Sequence, residues 1–205
     1  MSHPRNHDQE ARIVGALERQ HPDPKAFRTL SAPVWRSGAL SEKDKHLIAV
    51  AIAQITRCAF CIEHHAALAR KTGATRDEAL AFSYLSAVLE ALGSSDVSIE
   101  AGQLVTVDEA AVAGKPIADA RLAFARQVFG NDLLEPGLRW LAAAAIAYAQ
   151  SNEANRQLFH RQALANGQPE AALDEAYALV VVLRAGAVYA HTLHVVDAFE
   201  DAPDA

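Results

Sequence analysis

When the chain is shifted by 94 residues against itself, Ala51-Ile52-Ala53 falls on Ala145-Ile146-Ala147, Gly73 on Gly167 and Val88-Leu89 on Val182-Leu183. A self-match at one fixed offset restricts the architecture to a unit that can be built twice and stacked on its own copy. The units run over about 40–93 and 134–187, and each reads as three helices. The competing explanation is that amphipathic helices rich in alanine align through their shared periodicity alone. Composition agrees with helices either way: apolar residues are 51% and aromatics only 6%, a balance that favours closely packed helices over sheet. The expected fold is all-α, a single domain over 1–205 made of two tandem three-helix units with extra N-terminal helices.

In chain order, Met1 to Asp8 reads as a tail, and Gln9 to Arg19 as an amphipathic helix broken by His21-Pro22-Asp23-Pro24. A short piece with Phe27 and Leu30 follows, then a turn near Gly38. Ser41-Glu42-Lys43-Asp44 has the form of a capping box and opens a helix whose apolar residues cover more than one face, which predicts a central position. The break to the next helix is weakly marked, and Thr56 is its predicted cap. That helix ends at Thr72-Gly73, and Thr75 caps another, running to Leu92. Ser98 to Pro116 reads as a linker. Ile117 to Phe129, Glu135 to Gln150, Asn155 to Ala165 and Glu170 to Val188 read as helices, and Asp201 to Ala205 as a polar end.

Both cysteines of the chain lie in Cys58-Ala59-Phe60-Cys61-Ile62-Glu63-His64-His65. At about 100° per residue on a helix, Cys58, Cys61 and His65 share one stripe, Glu63 points nearly opposite and His64 lies further round. Two cysteines so close in sequence close too small a loop to staple a fold, so the spacing points to redox chemistry or to a metal. A dithiol can attack an oxidant with one thiolate and resolve the product with the other, given a depressed thiol pKa and a base. A helix start could supply the first and His65 the second, with Glu42 and His46 on the preceding helix orienting it. For His65 and His46 the alternative is a hydrogen-bonded core histidine, and for the cysteines a pair of inert buried thiols. His191 and His194 could line a pocket or cap a helix end. Under the 94-residue shift Asn152 and Asn155 replace the cysteines, Trp140 replaces His46, and His160 falls one residue from the His65 counterpart, so the second unit keeps the fold without the chemistry.

The net charge of −6 is spread along the chain without a basic cluster, which argues against nucleic acid as a partner. The N-terminus lacks an apolar secretion-signal core, and the longest apolar run, Trp140 to Ala149, is too short to cross a bilayer. A soluble cytoplasmic protein with no membrane partner is the expectation.

Cys58-x-x-Cys61-x-x-x-His65, preceded by Leu47-Ile48-Ala49-Val50-Ala51 and followed by Ala69-Arg70-Lys71-Thr72-Gly73-Ala74-Thr75, resembles the carboxymuconolactone decarboxylase superfamily. Within it the cysteine-bearing AhpD-like alkylhydroperoxidases match best. The specific part covers Ser41 to Gly93, and the degenerate copy extends it over most of the chain. The resemblance implies an all-helical fold that assembles into homo-oligomers, and an antioxidant thiol peroxidase activity on a hydroperoxide substrate. It also implies a protein or thiol reductant, and no haem, flavin or metal. It further implies that Cys61 attacks the peroxide, that Cys58 resolves the product and is met by the reductant, and that His65 belongs to a proton relay. Twelve residues before the first cysteine such proteins commonly carry a glutamate; here that position is His46, so Glu42 substitutes or the relay is altered. Three other functions fit the same residues: a disulfide relay to another protein, a lactone-acid lyase in which the cysteines are incidental, and a zinc site using Cys58, Cys61, His65 and His46.

Overall fold

The computed structural model describes residues 7–93, 95, 97–100, 103–106 and 115–200. The elements are α1 (His7–Gln20), α2 (Pro22–Ser31), a 3-10 turn (Ala32–Trp35), α3 (Glu42–Ile55), α4 (Ala59–Lys71), α5 (Arg76–Leu92), β1 (Val97–Glu100), β2 (Gln103–Thr106), α6 (Lys115–Phe129), α7 (Pro136–Ala149), α8 (Glu153–Ala165), α9 (Glu170–Ala190) and α10 (Thr192–Glu200). Among the described residues the fold is therefore all-α apart from one antiparallel pair of short strands. Most of the tail, the polar end at Asp201 to Ala205 and much of the expected linker lie outside the described residues.

Local chemistry sets the helix starts. The Ser41 hydroxyl oxygen accepts from the Asp44 amide, and Thr75 with Glu78 forms a full capping box at α5, so orphan N–H groups at both starts are satisfied. The first helix breaks at His21-Pro22 as expected, and Pro22 at once opens α2: a proline at the first helical position loses no hydrogen bond, and only His21 separates the two helices. Where the linker was expected to start, Val97 and Ile99 fall on one face of β1, which pairs antiparallel with β2 in the register Val97 to Thr106.

The core is organised on α3 and α7. All residues from Lys45 to Ala53 are buried, as are all from Leu141 to Ala147, and the alanines in both runs let neighbouring helices approach closely. These two helices pack on each other, with α5 and α9 against both, while α4 lies on α3 and α8 on α7. Fully buried side chains such as Phe82, Phe159, Ile48 and Leu179 each contribute about 1.5–3 kcal/mol by leaving water. By length and composition Glu170–Phe199 would pass for a membrane-crossing segment, but α9 is a core helix that buries Leu173, Leu179 and Leu183.

The 94-residue offset recurs in the coordinates: α7 and α8 begin and end 94 residues after α3 and α4, and α9 begins 94 after α5. Backbone detail follows it. Arg57 and Ser151 have φ of 57° and 61°, and Gly73 and Gly167 have 93° and 89°. Left-handed backbone is costly for a side chain other than glycine, and finding it at both Arg57 and Ser151 ties it to the helix-to-helix turn rather than to any chemistry found in one unit only.

Candidate active site

The joint between α3 and α4 differs from the one expected. Thr56 closes α3 rather than capping α4. Arg57 turns the chain, and Cys58 itself is the N-cap, with φ −90° and ψ 96°, its sulfur accepting from the Cys61 amide at 3.2 Å. Cys58 therefore precedes the helix instead of sharing its stripe, and Cys61 stands at the third helical position. The arrangement still brings the sulfurs together: Cys58 and Cys61 form a disulfide, with Cα atoms 5.2 Å apart. Cys61 lies where unpaired amides and the helix dipole favour an anion, so in the reduced protein its thiolate is stabilised. Both cysteines are buried, Cys58 more deeply at 2% exposure against 7%.

His65 follows Cys61 by one turn and stacks against two rings. Trp35, from the 3-10 turn, lies 4.9 Å from both His46 and His65, and the two imidazoles lie 5.4 Å from each other. Trp35 was no candidate in the sequence, where its segment reads as a turn. Nδ1 of His46 is 3.3 Å from Nδ1 of His65, and Nε2 of His46 is 4.0 Å from the exposed Glu42 carboxylate. Burial, aided by His64 and His46, pushes His65 down to about 3. Burial also lowers His46, against the pull of Glu42. Both rings are therefore neutral near pH 7, with one N–H each. If the His46 proton sits on Nε2, facing Glu42, its Nδ1 accepts from Nδ1–H of His65 and leaves a lone pair on Nε2 of His65. The opposite tautomer would turn a bare nitrogen toward a carboxylate, so the first assignment is electrostatically preferred. Glu42, His46 and His65 thus form a chain from the surface to a buried ring.

Cys61 and His65 line a cavity of about 180 Å³, walled by Trp35 and Phe60 and, from the far end of the chain, by Val182, Leu183, Gly186 and Tyr189. His64 is half-buried on this wall, where its ring stacks with Phe60 and packs at a tilt on His7 of α1. Glu63 is exposed. His191 and His194 are also exposed and do not line the cavity; His191 closes α9. For the zinc reading, the sulfurs are joined to each other, and among the described residues no group of three or more His, Cys, Asp or Glu side chains is placed to hold a metal ion.

The equivalent positions 94 residues on carry the same geometry with different chemistry. Asn152 is the N-cap of α8 with φ −92° and ψ 93°, accepting from the Asn155 amide. Asn155 is buried, accepts from Val97 N and donates to Ser95 O, pinning the start of β1. Phe129, Trp140 and Phe159 stand where Trp35, His46 and His65 stand in the first unit, with Phe129 and Trp140 4.8 Å apart and Trp140 and Phe159 5.7 Å apart. His160 instead reaches Tyr177 and Glu170, at 3.0 Å and 3.2 Å. The ring stack is thus apolar in one unit and ionisable in the other.

Residues 24–96 match the family described as the carboxymuconolactone decarboxylase family. A protein of Paracoccus denitrificans named "Uncharacterized protein 4 in cox locus" is 42% identical over 66 residues, which are 32% of this chain and 60% of that protein's length. No solved structure matches the chain.

Proposed function

With residues 24–96 in the carboxymuconolactone decarboxylase family as the premise, we propose that this protein is a thiol peroxidase that reduces hydroperoxides through Cys61 and Cys58. The observation that carries this reading is the Cys58–Cys61 disulfide, whose second sulfur faces a cavity shared with a neutral His65. A redox role explains why two cysteines adopt the N-cap geometry that two asparagines hold in the other unit.

In the reduced protein, Nε2 of His65 takes the Cys61 proton as the Nδ1 proton of His65 passes to His46 and the Nε2 proton of His46 to Glu42, so both rings stay neutral, and the thiolate attacks the terminal oxygen of R–O–OH. The O–O bond breaks, Cys61 becomes a sulfenic acid, and the alkoxide leaves as an alcohol with the proton that His65 returns. Cys58 then attacks the Cys61 sulfur, the S–O bond breaks, and the hydroxyl departs as water with the Cys58 proton. One hydroperoxide and two thiols give one alcohol, one water and the disulfide, which an external thiol reductant reopens. Burial of both sulfurs weighs against the disulfide-relay reading, because a protein partner would need them at the surface.

The test is rapid mixing of the reduced protein with one equivalent of an organic hydroperoxide. Loss of both thiols and a product lighter by two hydrogens is expected. Thiols that survive the hydroperoxide would overturn the peroxidase function and leave the relay and lyase readings to be separated.

A further inference from the structure

The family match ends at residue 96, yet one wall of the cavity at Cys61 comes from α9, nearly a hundred residues later. Tyr189 is the notable residue there. Its ring packs on Phe27 of α2 at 5.0 Å, and its hydroxyl is buried with no hydrogen-bond partner among the described residues. Burial raises its pKa above the ordinary value, so the group is an O–H donor. The other polar groups on this wall are engaged: Glu18 pairs with Arg28, and the Ser31 hydroxyl donates to the Arg28 carbonyl. A buried donor left unpaired is destabilising, and a bound acceptor removes that cost. Apart from His64, His65 and Cys61, the remaining lining, which includes Trp35, Phe60, Phe27 and Val182, is apolar. The volume of about 180 Å³ slightly exceeds the roughly 150 Å³ of an apolar protein cavity that takes up benzene.

We propose that this cavity is the substrate chamber, that it admits a hydroperoxide whose carbon part is one compact group about the size of a benzene ring, and that Tyr189 selects it by donating its hydroxyl proton to an oxygen of that substrate. The proposal rests on the peroxidase reading for its chemistry, but the chamber can be probed without turnover. The cavity opens to solvent, so a long acyl hydroperoxide must leave most of its chain outside the aromatic walls, and hydrogen peroxide leaves those walls without contacts. Tyr189 is a binding and positioning residue here, with no part in breaking the O–O bond.

Two measurements on the full chain test it. In the oxidised protein, Trp fluorescence follows the binding of 2-phenyl-2-propanol, the alcohol product of a ring-sized hydroperoxide, and of isopropylbenzene, which has nearly the same shape without the oxygen. Both are expected to bind, and Tyr189→Phe should weaken the alcohol about fivefold while leaving the hydrocarbon unchanged, the effect of one lost hydrogen bond. A structural hydroxyl would move neither affinity, or both together. In the reduced protein, the rate of thiol loss is compared for isopropylbenzene hydroperoxide, hydrogen peroxide and an eighteen-carbon fatty-acid hydroperoxide. The first should be about tenfold faster than either of the others, the order expected for apolar burial of one ring, and Val182→Phe should erase that ratio by filling the chamber. Equal rates for all three, with no binding of the alcohol, would overturn the proposal while leaving the peroxidase reading intact. Binding of the alcohol without reaction of any hydroperoxide would overturn the peroxidase reading and, with it, the assignment of the chamber to a hydroperoxide.

Discussion

His65 makes stability depend on pH in a way that can be isolated by one substitution. In the native protein its imidazole resists protonation down to about 3, whereas in the unfolded chain it titrates near its ordinary value of about 6.5. Above that value neither state is charged and the contribution is whole. As pH falls below about 6.5, only the unfolded state gains a proton, and stability is lost at up to about 1.4 kcal/mol per pH unit. The loss stops near the native pKa, where both states bind the proton. Between pH 7 and pH 5 this amounts to about 2 kcal/mol from His65 alone. The comparison is His65→Phe, because Phe159 fills the equivalent place beside Trp140 and Phe129. Urea midpoints of the oxidised wild type and variant at pH 7 and pH 5 give four stabilities. Any pH-independent change in packing cancels in the double difference, as do the carboxylates of Glu78 and Glu175, whereas His46, whose ring meets that of His65, does not cancel, so the same four stabilities are measured in a His46→Phe background. The variant should lose about 2 kcal/mol less than the wild type on acidification. Equal losses would show that His65 is charged in the native protein, and the neutral relay drawn from its burial would be wrong.

Cys58→Ser should consume one hydroperoxide and stop at a sulfenic acid on Cys61, seen as a mass gain of one oxygen; continued turnover with a thiol reductant would remove Cys58 from the resolving role. Lys45 is a buried cation held by Glu175 at 2.9 Å and by the Arg36 carbonyl, so Glu175→Ala should destabilise by about 3 kcal/mol, by leaving that charge unpaired. Lys45→Met should cost less than Glu175→Ala in the same denaturation assay, and the reverse order would refute the pairing. Asn152→Ala removes the cap of α8 and should cost about 1 kcal/mol, without changing the rate of thiol loss; a slowed rate would tie the second unit to the chemistry.

The helices were legible where local chemistry marks them. Ser41 and Thr75 announce their starts, and the apolar run from Leu47 to Ile55 announces burial on every side. The α3–α4 joint was not legible, because left-handed backbone at Arg57 has no glycine to signal it and a cysteine is seldom read as a cap. The group Cys58, Cys61, His65 and His46 came from spacing and is assembled in space, but as a cap and a third-position thiol rather than one stripe. Trp35 was missed because a single aromatic in a turn gives no periodic signal. Its one trace is that Phe129 lies 94 residues later, the offset that relates the other ring positions. Phe27 and Tyr189 reach the cavity through tertiary packing that no window of sequence contains. The Val97 to Thr106 strand pair was missed because each strand has only four residues, too few for alternation to stand out.

The Lys45–Glu175 pair runs from the helix before the cysteines to the longest helix of the other unit, and Gly38 stays bare because any β-carbon would lie 1.9 Å from that same carboxylate. A shortened gene ending after α5 would therefore encode both cysteines and both histidines, yet leave an ammonium buried without its counter-ion and the substrate chamber open on one side. Anyone wishing to graft the redox centre onto another scaffold would have to carry α9 with it. The half without cysteines supplies a wall of the other half's cavity and the counter-ion of its buried lysine.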